Sequence, residues 1–94
     1  MILLSPDAVS DVKRLRNFLD EKNPDAAKRA LAAIWTAIER LEEFSDLGAP
    51  TRDTEIRQLV VRFGSSGYIV RYTILPERKD VFVTRIWHGR EARV

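Results

Sequence analysis

The triplet Asn23-Pro24-Asp25 constrains this chain more than any other stretch. Proline holds the residue before it out of the helical region, so a helix reaching Asn23 must end there. Proline also suits the first position of a helix, where its missing N–H would have no partner anyway. Asn23 can cap the free N–H groups that follow, and Asp25 complements the helix dipole. One triplet therefore closes a helix and opens the next with no linker between them. Helices joined so tightly fold back as an antiparallel hairpin.

The flanking residues fit that hairpin. Ser5-Pro6-Asp7 repeats the start signal, so the first helix begins at Pro6. Ala8, Val12, Leu15 and Leu19 form its apolar stripe, widened by Val9 and Phe18, while Asp11, Lys13, Arg14, Asn17 and Asp20 read as its wet side. In the second helix Ala27, Leu31, Ile34, Ile38 and Leu41 make the stripe. Ala26, Ala30, Ala33 and Ala37 beside it allow close approach of its neighbour. The run Ile2-Leu3-Leu4 before the first helix reads as a short buried strand.

After Ser45–Thr54, a loop broken by Gly48 and Pro50, the apolar period changes from helical to alternating. Arg57–Phe63 reads as a strand with Leu59, Val61 and Phe63 inward. Gly64-Ser65-Ser66-Gly67 reads as a hairpin loop. Tyr68–Leu75 puts Tyr68, Val70, Tyr72 and Ile74 on one face and Arg71 and Thr73 on the other. Pro76–Asp80 turns the chain into Val81–His88. In that last strand Phe82, Thr84 and Ile86 are assigned to the core, and Val83, Arg85 and Trp87 to the opposite face. The predicted order is β-α-α-β-β-β, an α+β fold. The helical hairpin covers one face of a small antiparallel meander, the first strand joins an edge, and the other face stays open. All 94 residues are expected to form one domain.

Composition excludes several functions. Cysteine is absent, which removes disulfides, thiolate metal sites and thiol catalysis. The single histidine and the lack of any H-x-x-x-H spacing argue against a metal, and no phosphate-binding glycine pattern precedes a helix. No cofactor is expected. No apolar run is longer than Ala30–Trp35, so no membrane span is expected. The net charge of +2 hides an asymmetry, with −2 in residues 1–47 and +4 in residues 48–94. The basic residues of the second half are arginines apart from Lys79, and arginine suits carboxylates, phosphates and aromatic faces.

One constellation concentrates this chemistry. Arg85-Ile86-Trp87-His88-Gly89-Arg90-Glu91 ends a strand in tryptophan, histidine and arginine, and Arg71 on the neighbouring strand can join them. A binding surface would use Arg71, Arg85 and Arg90 on acidic groups, with Trp87 as anchor and His88 beside it. A nuclease would use His88 for proton transfer and Arg71 and Arg90 on a phosphate. A plainer alternative is that Trp87 packs the sheet end and His88 is a surface residue.

Several segments resemble the RelE/ParE superfamily of bacterial type II toxins, and its ParE branch in particular. They are Leu4-Ser5-Pro6-Asp7-Ala8, Asn23-Pro24-Asp25-Ala26-Ala27, Leu41–Gly48, Ile56–Val61, Tyr68-Ile69-Val70-Arg71-Tyr72 and Ile86-Trp87-His88-Gly89-Arg90. Their order and spacing cover nearly the whole chain. The resemblance implies a growth-inhibiting toxin of the cytoplasm, neutralised by a cognate antitoxin in a hetero-oligomer. Operator DNA would be met only through that antitoxin.

The branches differ in target. ParE-like toxins poison DNA gyrase, and RelE-like toxins cut mRNA on the ribosome. The nuclease pattern has an arginine after the aromatic that opens the central strand, where this chain has Ile69, and a tyrosine beyond the strand-end arginine, where nothing after Arg90 supplies one. Gly89 also stands where nucleases with a comparable histidine carry an aromatic. The resemblance therefore implies a gyrase inhibitor with no catalytic residues. An mRNA endonuclease using His88, Arg71 and Arg90, and an inactive antitoxin-binding module, stay as alternatives.

Overall fold

A computed structural model describes residues 1–77 and 79–91 of the chain. Arg78 and Arg93, counted above among the basic residues of the second half, lie outside the described residues, and so does part of the turn assigned to Pro76–Asp80. The elements are β1 (Ile2–Leu4), α1 (Pro6–Lys22), α2 (Pro24–Glu39) with a 3-10 turn at Arg40–Glu42, β2 (Ala49–Pro50), β3 (Arg57–Phe63), β4 (Ser66–Leu75) and β5 (Asp80–His88).

Both proline triplets act as read. The Ser5 hydroxyl accepts from the Ala8 N–H at 3.0 Å, and Asn23 accepts from the Ala26 N–H at 3.1 Å. The Asn23 N–H meanwhile donates to the Leu19 carbonyl, so one residue finishes α1 and caps α2. Ala8 and Leu15 from α1 and Ala30, Ile34, Ile38 and Leu41 from the second helical segment bury against Val61, Tyr68, Val70, Tyr72 and Ile86 of the sheet.

The sheet has five strands in the order β1-β5-β4-β3-β2. It is a mixed sheet rather than a purely antiparallel one, because the edge strand β1 pairs parallel to β5 (Ile2 with Val81, Leu4 with Val83). The parallel direction follows from α1 and α2, which carry the chain away and back before the meander begins. The Ser45–Thr54 loop also contains a strand: Ala49 and Pro50 pair with Gln58 and Arg57 at the other edge. The hairpin between β3 and β4 is tighter than expected, since Phe63 pairs with Ser66 and only Gly64 and Ser65 turn. Gly64 has φ of +60°, a conformation that favours glycine at the first position of a two-residue turn.

The assignment of β5 to faces needs correction in its first half. Val83 and Val81 are buried in the core, whereas Phe82 and Thr84 are only partly buried. The cause is a bulge. Arg71 pairs with Arg85 but Tyr72 pairs with Val83, so Thr84 is an extra residue and alternation restarts after it. Ile86, Arg85 and Trp87 consequently keep the faces read from the sequence, and Phe82, Thr84 and Val83 do not.

Tyr72 fixes the long loop. Its hydroxyl accepts from the Gly48 N–H at 2.8 Å and donates to the Ser45 carbonyl at 2.7 Å, with the ring fully buried. Gly48 is required at that contact, because a Cβ there would lie 2.7 Å from the ring. Replacing Tyr72 by phenylalanine strands a buried N–H, so Tyr72→Phe should lower stability by about 2 kcal/mol in urea unfolding. A loss below about 0.5 kcal/mol would show that this pair of bonds does not hold the loop.

Candidate functional site

The site begins where β1 ends. β1 pairs with β5 only as far as Val83, so among the described residues the outer side of β5 beyond the bulge has no strand beside it. Unpaired edge groups invite another chain or cost stability if buried. Here side chains take the place of a strand. The Ser5 hydroxyl donates to the Thr84 carbonyl at 2.8 Å, while the Asp11 carboxylate accepts from the Ile86 N–H at 2.8 Å. Arg14 donates to the Ile86 carbonyl at 3.2 Å, and Glu91 accepts from the His88 N–H at 2.9 Å.

Asp11 is the centre of this arrangement. It is 2% exposed. Besides the Ile86 N–H it accepts from Arg85 through Nε at 2.8 Å and Nη2 at 3.1 Å, and from Arg14. Arg14 is held from its other side by Glu91 at 3.2 Å. Burial pushes the Asp11 carboxyl upward, but hydrogen bonds from Arg85, the Ile86 N–H and Arg14 outweigh it and bring the pKa down from 3.8 to about 2. Asp11, expected on the wet side of α1, is buried instead. The signal for burial was its spacing, three residues after Ala8 and four before Leu15, both in the core.

The predicted site residues divide between two faces of the sheet. On the open face, register builds two cross-strand rows. Val60 pairs with Ile69 and Ile69 with Trp87; alongside them Gln58 pairs with Arg71 and Arg71 with Arg85. Two arginines directly opposite would repel. The structure relieves this by turning each toward a different partner. Arg85 reaches over the strand edge to Asp11. Arg71 lies 4.8 Å from the centre of the Trp87 ring and donates to Gln58 Oε1 at 3.2 Å. Trp87 is only 7% exposed, so it serves mainly as the support for Arg71.

His88 and Arg90 belong to the opposite side. The His88 ring meets the buried Tyr68 ring edge-on at 5.2 Å, and its Nδ1 accepts from the Arg90 N–H at 3.1 Å. Both residues line a groove of about 550 Å³ against α1. Arg71 shares no face with His88, so the five residues do not form a single cluster. Among the described residues, no three His, Asp or Glu side chains gather as metal ligands, and no helix is long and apolar enough to cross a membrane.

The fold is a helical hairpin on one face of a small mixed sheet. A family model described as the ParE toxin of the type II toxin–antitoxin system parDE matches residues 2–93. Toxin RelE3 of Caulobacter vibrioides is 38% identical over 90 residues, covering 96% of this chain and 95% of that protein. Toxin RelE1 of the same organism is 38% identical over 92 residues, covering 98% and 96%. The chromosomal ParDE toxin–antitoxin system from P. aeruginosa contains a chain of the same fold, with a TM-score of 0.72, 16% identity and coverage of 93% and 92%. The chain belongs to the ParE toxin family of type II toxin–antitoxin systems.

Two outcomes test the role of Asp11. Asp11→Ala orphans the Ile86 N–H while the half-exposed arginines can rehydrate, so the loss should be about 2–4 kcal/mol, below that of a fully buried pair. The carboxyl holds its proton less tightly when folded than when unfolded. Stability should therefore be complete above pH 4 or so and fall as pH drops toward about 2. In Asp11→Asn that acid-dependent fall should be much shallower when chemical unfolding is repeated across the range. An unchanged acid profile would remove Asp11 as its source.

Proposed function

We propose that this chain is the toxin of a parDE-type pair, that it acts in the cytoplasm by inhibiting DNA gyrase without cutting RNA, and that a cognate antitoxin restrains it. The family model carries the ParE name and the Caulobacter relatives the RelE name. The choice of target therefore rests on geometry. The observation that carries it is the separation of Arg71 from His88. Arg71 sits over Trp87 on the open face, while His88 packs on Tyr68 beneath the sheet. A phosphate held by Arg71 would be out of reach of the His88 imidazole, and general acid–base catalysis needs hydrogen-bond reach. Ile69 stands where an arginine would complete a nuclease set.

A nuclease reading keeps one supporting feature, because His88 and Arg90 share a groove. It predicts that His88→Ala loses toxicity. The gyrase reading predicts that purified protein blocks supercoiling or traps cleaved DNA, and that neither it nor His88→Ala cuts ribosome-bound mRNA. Normal supercoiling with a large molar excess of toxin would sink the gyrase reading. Unchanged growth on expression without a partner would favour a binding module with no poison activity.

The antitoxin's most suitable seat is the outer edge of β3. β2 pairs only with Arg57 and Gln58, so the outer edge of Leu59–Phe63, on the side away from β4, has no strand beside it among the described residues. A trench of about 470 Å³ runs there between α2 and β3, with Leu47 and the half-exposed Val60 on its wall and Arg40 and Arg62 as its cations. An extended, acidic segment fits by strand addition. Such a hetero-oligomer would meet operator DNA through the antitoxin. Val60→Lys with Arg62→Glu should weaken antitoxin binding about tenfold or more in calorimetry. Equal affinity would move the contact elsewhere.

A further inference from the structure

The groove between α1 and the end of β5 lies toward the opposite edge of the sheet from the β3 trench. Leu15, Phe18 and Leu19 of α1 form its apolar wall, and Tyr68 and His88 its other side. Phe18 is half exposed, a large ring at the solvent side of that wall. Lys22 lies 5.3 Å from the Phe18 ring centre, so an ammonium and an aromatic face are presented together. Arg90 supplies a second cation at the mouth. Neither Lys22 nor Arg90 makes an ion pair among the described residues, whereas Arg14 is committed to Asp11 and Glu91.

One residue of the groove lining carries a hydroxyl without a protein partner among the described residues. Tyr68 and Tyr72 lie on the same face of β4, and both rings are buried. The Tyr72 hydroxyl has two hydrogen-bond partners. The Tyr68 hydroxyl has none among the described residues, yet no buried side-chain oxygen is sealed away unsatisfied. Tyr68 is one of the residues that line the groove. Burial raises the Tyr68 pKa, so the hydroxyl stays protonated and able to donate. The supporting wall is rigid, because Asp11 and Glu91 lock Arg14 against β5.

We propose that this groove is the effector face of the toxin, a slot that takes a bulky apolar side chain flanked by carboxylates from a segment of the target protein. The inference rests on the toxin reading and adds a surface separate from the antitoxin's. The volume suits one or two large side chains. The apolar wall would hold the anchor, the Tyr68 hydroxyl would meet its backbone or a polar tip, and Lys22 and Arg90 would meet the carboxylates. A nucleic acid fits less well. Phosphate binding draws on many cations, and this groove offers two uncommitted ones beside the Glu91 carboxylate.

Two experiments test it. In the first, the full chain is titrated with 4-phenylbutyrate, an aromatic carboxylate, and separately with uridine monophosphate and inorganic phosphate, following amide and ring resonances. Phenylbutyrate should shift Phe18, Lys22, Tyr68 and Arg90 together, and Lys22→Glu with Arg90→Glu should weaken that binding about tenfold. Shifts from uridine monophosphate alone would overturn the proposal in favour of RNA, and no shift from any probe would overturn it outright. In the second, Phe18→Ala and the Lys22→Glu/Arg90→Glu pair are expressed without antitoxin. Growth inhibition should fall about tenfold or more while the variants stay folded at growth temperature and antitoxin affinity stays within error. Full toxicity, or antitoxin affinity falling in parallel, would overturn the assignment. If the unchanged chain fails to inhibit growth, the toxin reading falls, and the titration still decides whether the groove binds an apolar carboxylate.

Discussion

The Asp11 carboxylate at the outer edge of β5 is the interaction on which the rest of this structure depends. β1 is three residues long and stops pairing at Val83, and the Thr84 bulge then turns the strand. Without a replacement, Ile86 and His88 would present backbone groups at a buried helix–sheet seam. Asp11 takes the Ile86 N–H and Arg14 the Ile86 carbonyl, while Ser5 and Glu91 serve the residues on either side. Ser5 does this while capping α1, so the start of the helix and the bulge are fixed by one hydroxyl. The same carboxylate draws Arg85 away from Arg71 and so permits an arginine pair in adjacent strands.

The contrast between the two sides of the sheet follows from this. One side is closed by a short parallel strand and a row of side-chain substitutes. The other side has only the two-residue β2, held by the bonds that tie Gly48 and Ser45 to Tyr72. Beyond Gln58 the outer edge of β3 has no strand beside it among the described residues, and Val60 and Leu47 beside it are exposed. Proteins that must remain single usually blunt such an edge with charge or cover. Arg62 is a partial guard, because a cation repels a second copy of the same basic edge but welcomes an acidic segment.

Much of this was legible in the chain. Proline positions defined the hairpin, because the physics acts on one residue and its immediate neighbour. Alternation from Tyr68 to Leu75 gave both faces of β4, and with them the opposition of Arg71 to the core. The bulge was not legible. Phe82, Val83 and Thr84 are all compatible with either face, and only pairing with Tyr72 and Ser5 decides which is skipped. β2 was hidden for a related reason, since two residues carry no period of their own. Asp11 was misread because a charged residue on an apolar stripe looks like the edge of that stripe until its partners, more than 70 residues away in sequence, come into view.

The same local reading explains why the candidate site split. Trp87 and His88 are neighbours in sequence, and neighbours in a strand point to opposite faces. A cluster assembled by sequence proximity therefore joins groups that the sheet keeps apart. What the fold does assemble is a pair of surfaces with different supports. Arg71 rests on a buried tryptophan in the middle of a five-stranded sheet, a position that tolerates little movement. Lys22 and Arg90 stand on a helix end and a turn, where side chains adapt to what they meet. The β3 edge and this adaptable cationic groove thus lie toward opposite sides of the sheet, each with its own kind of support.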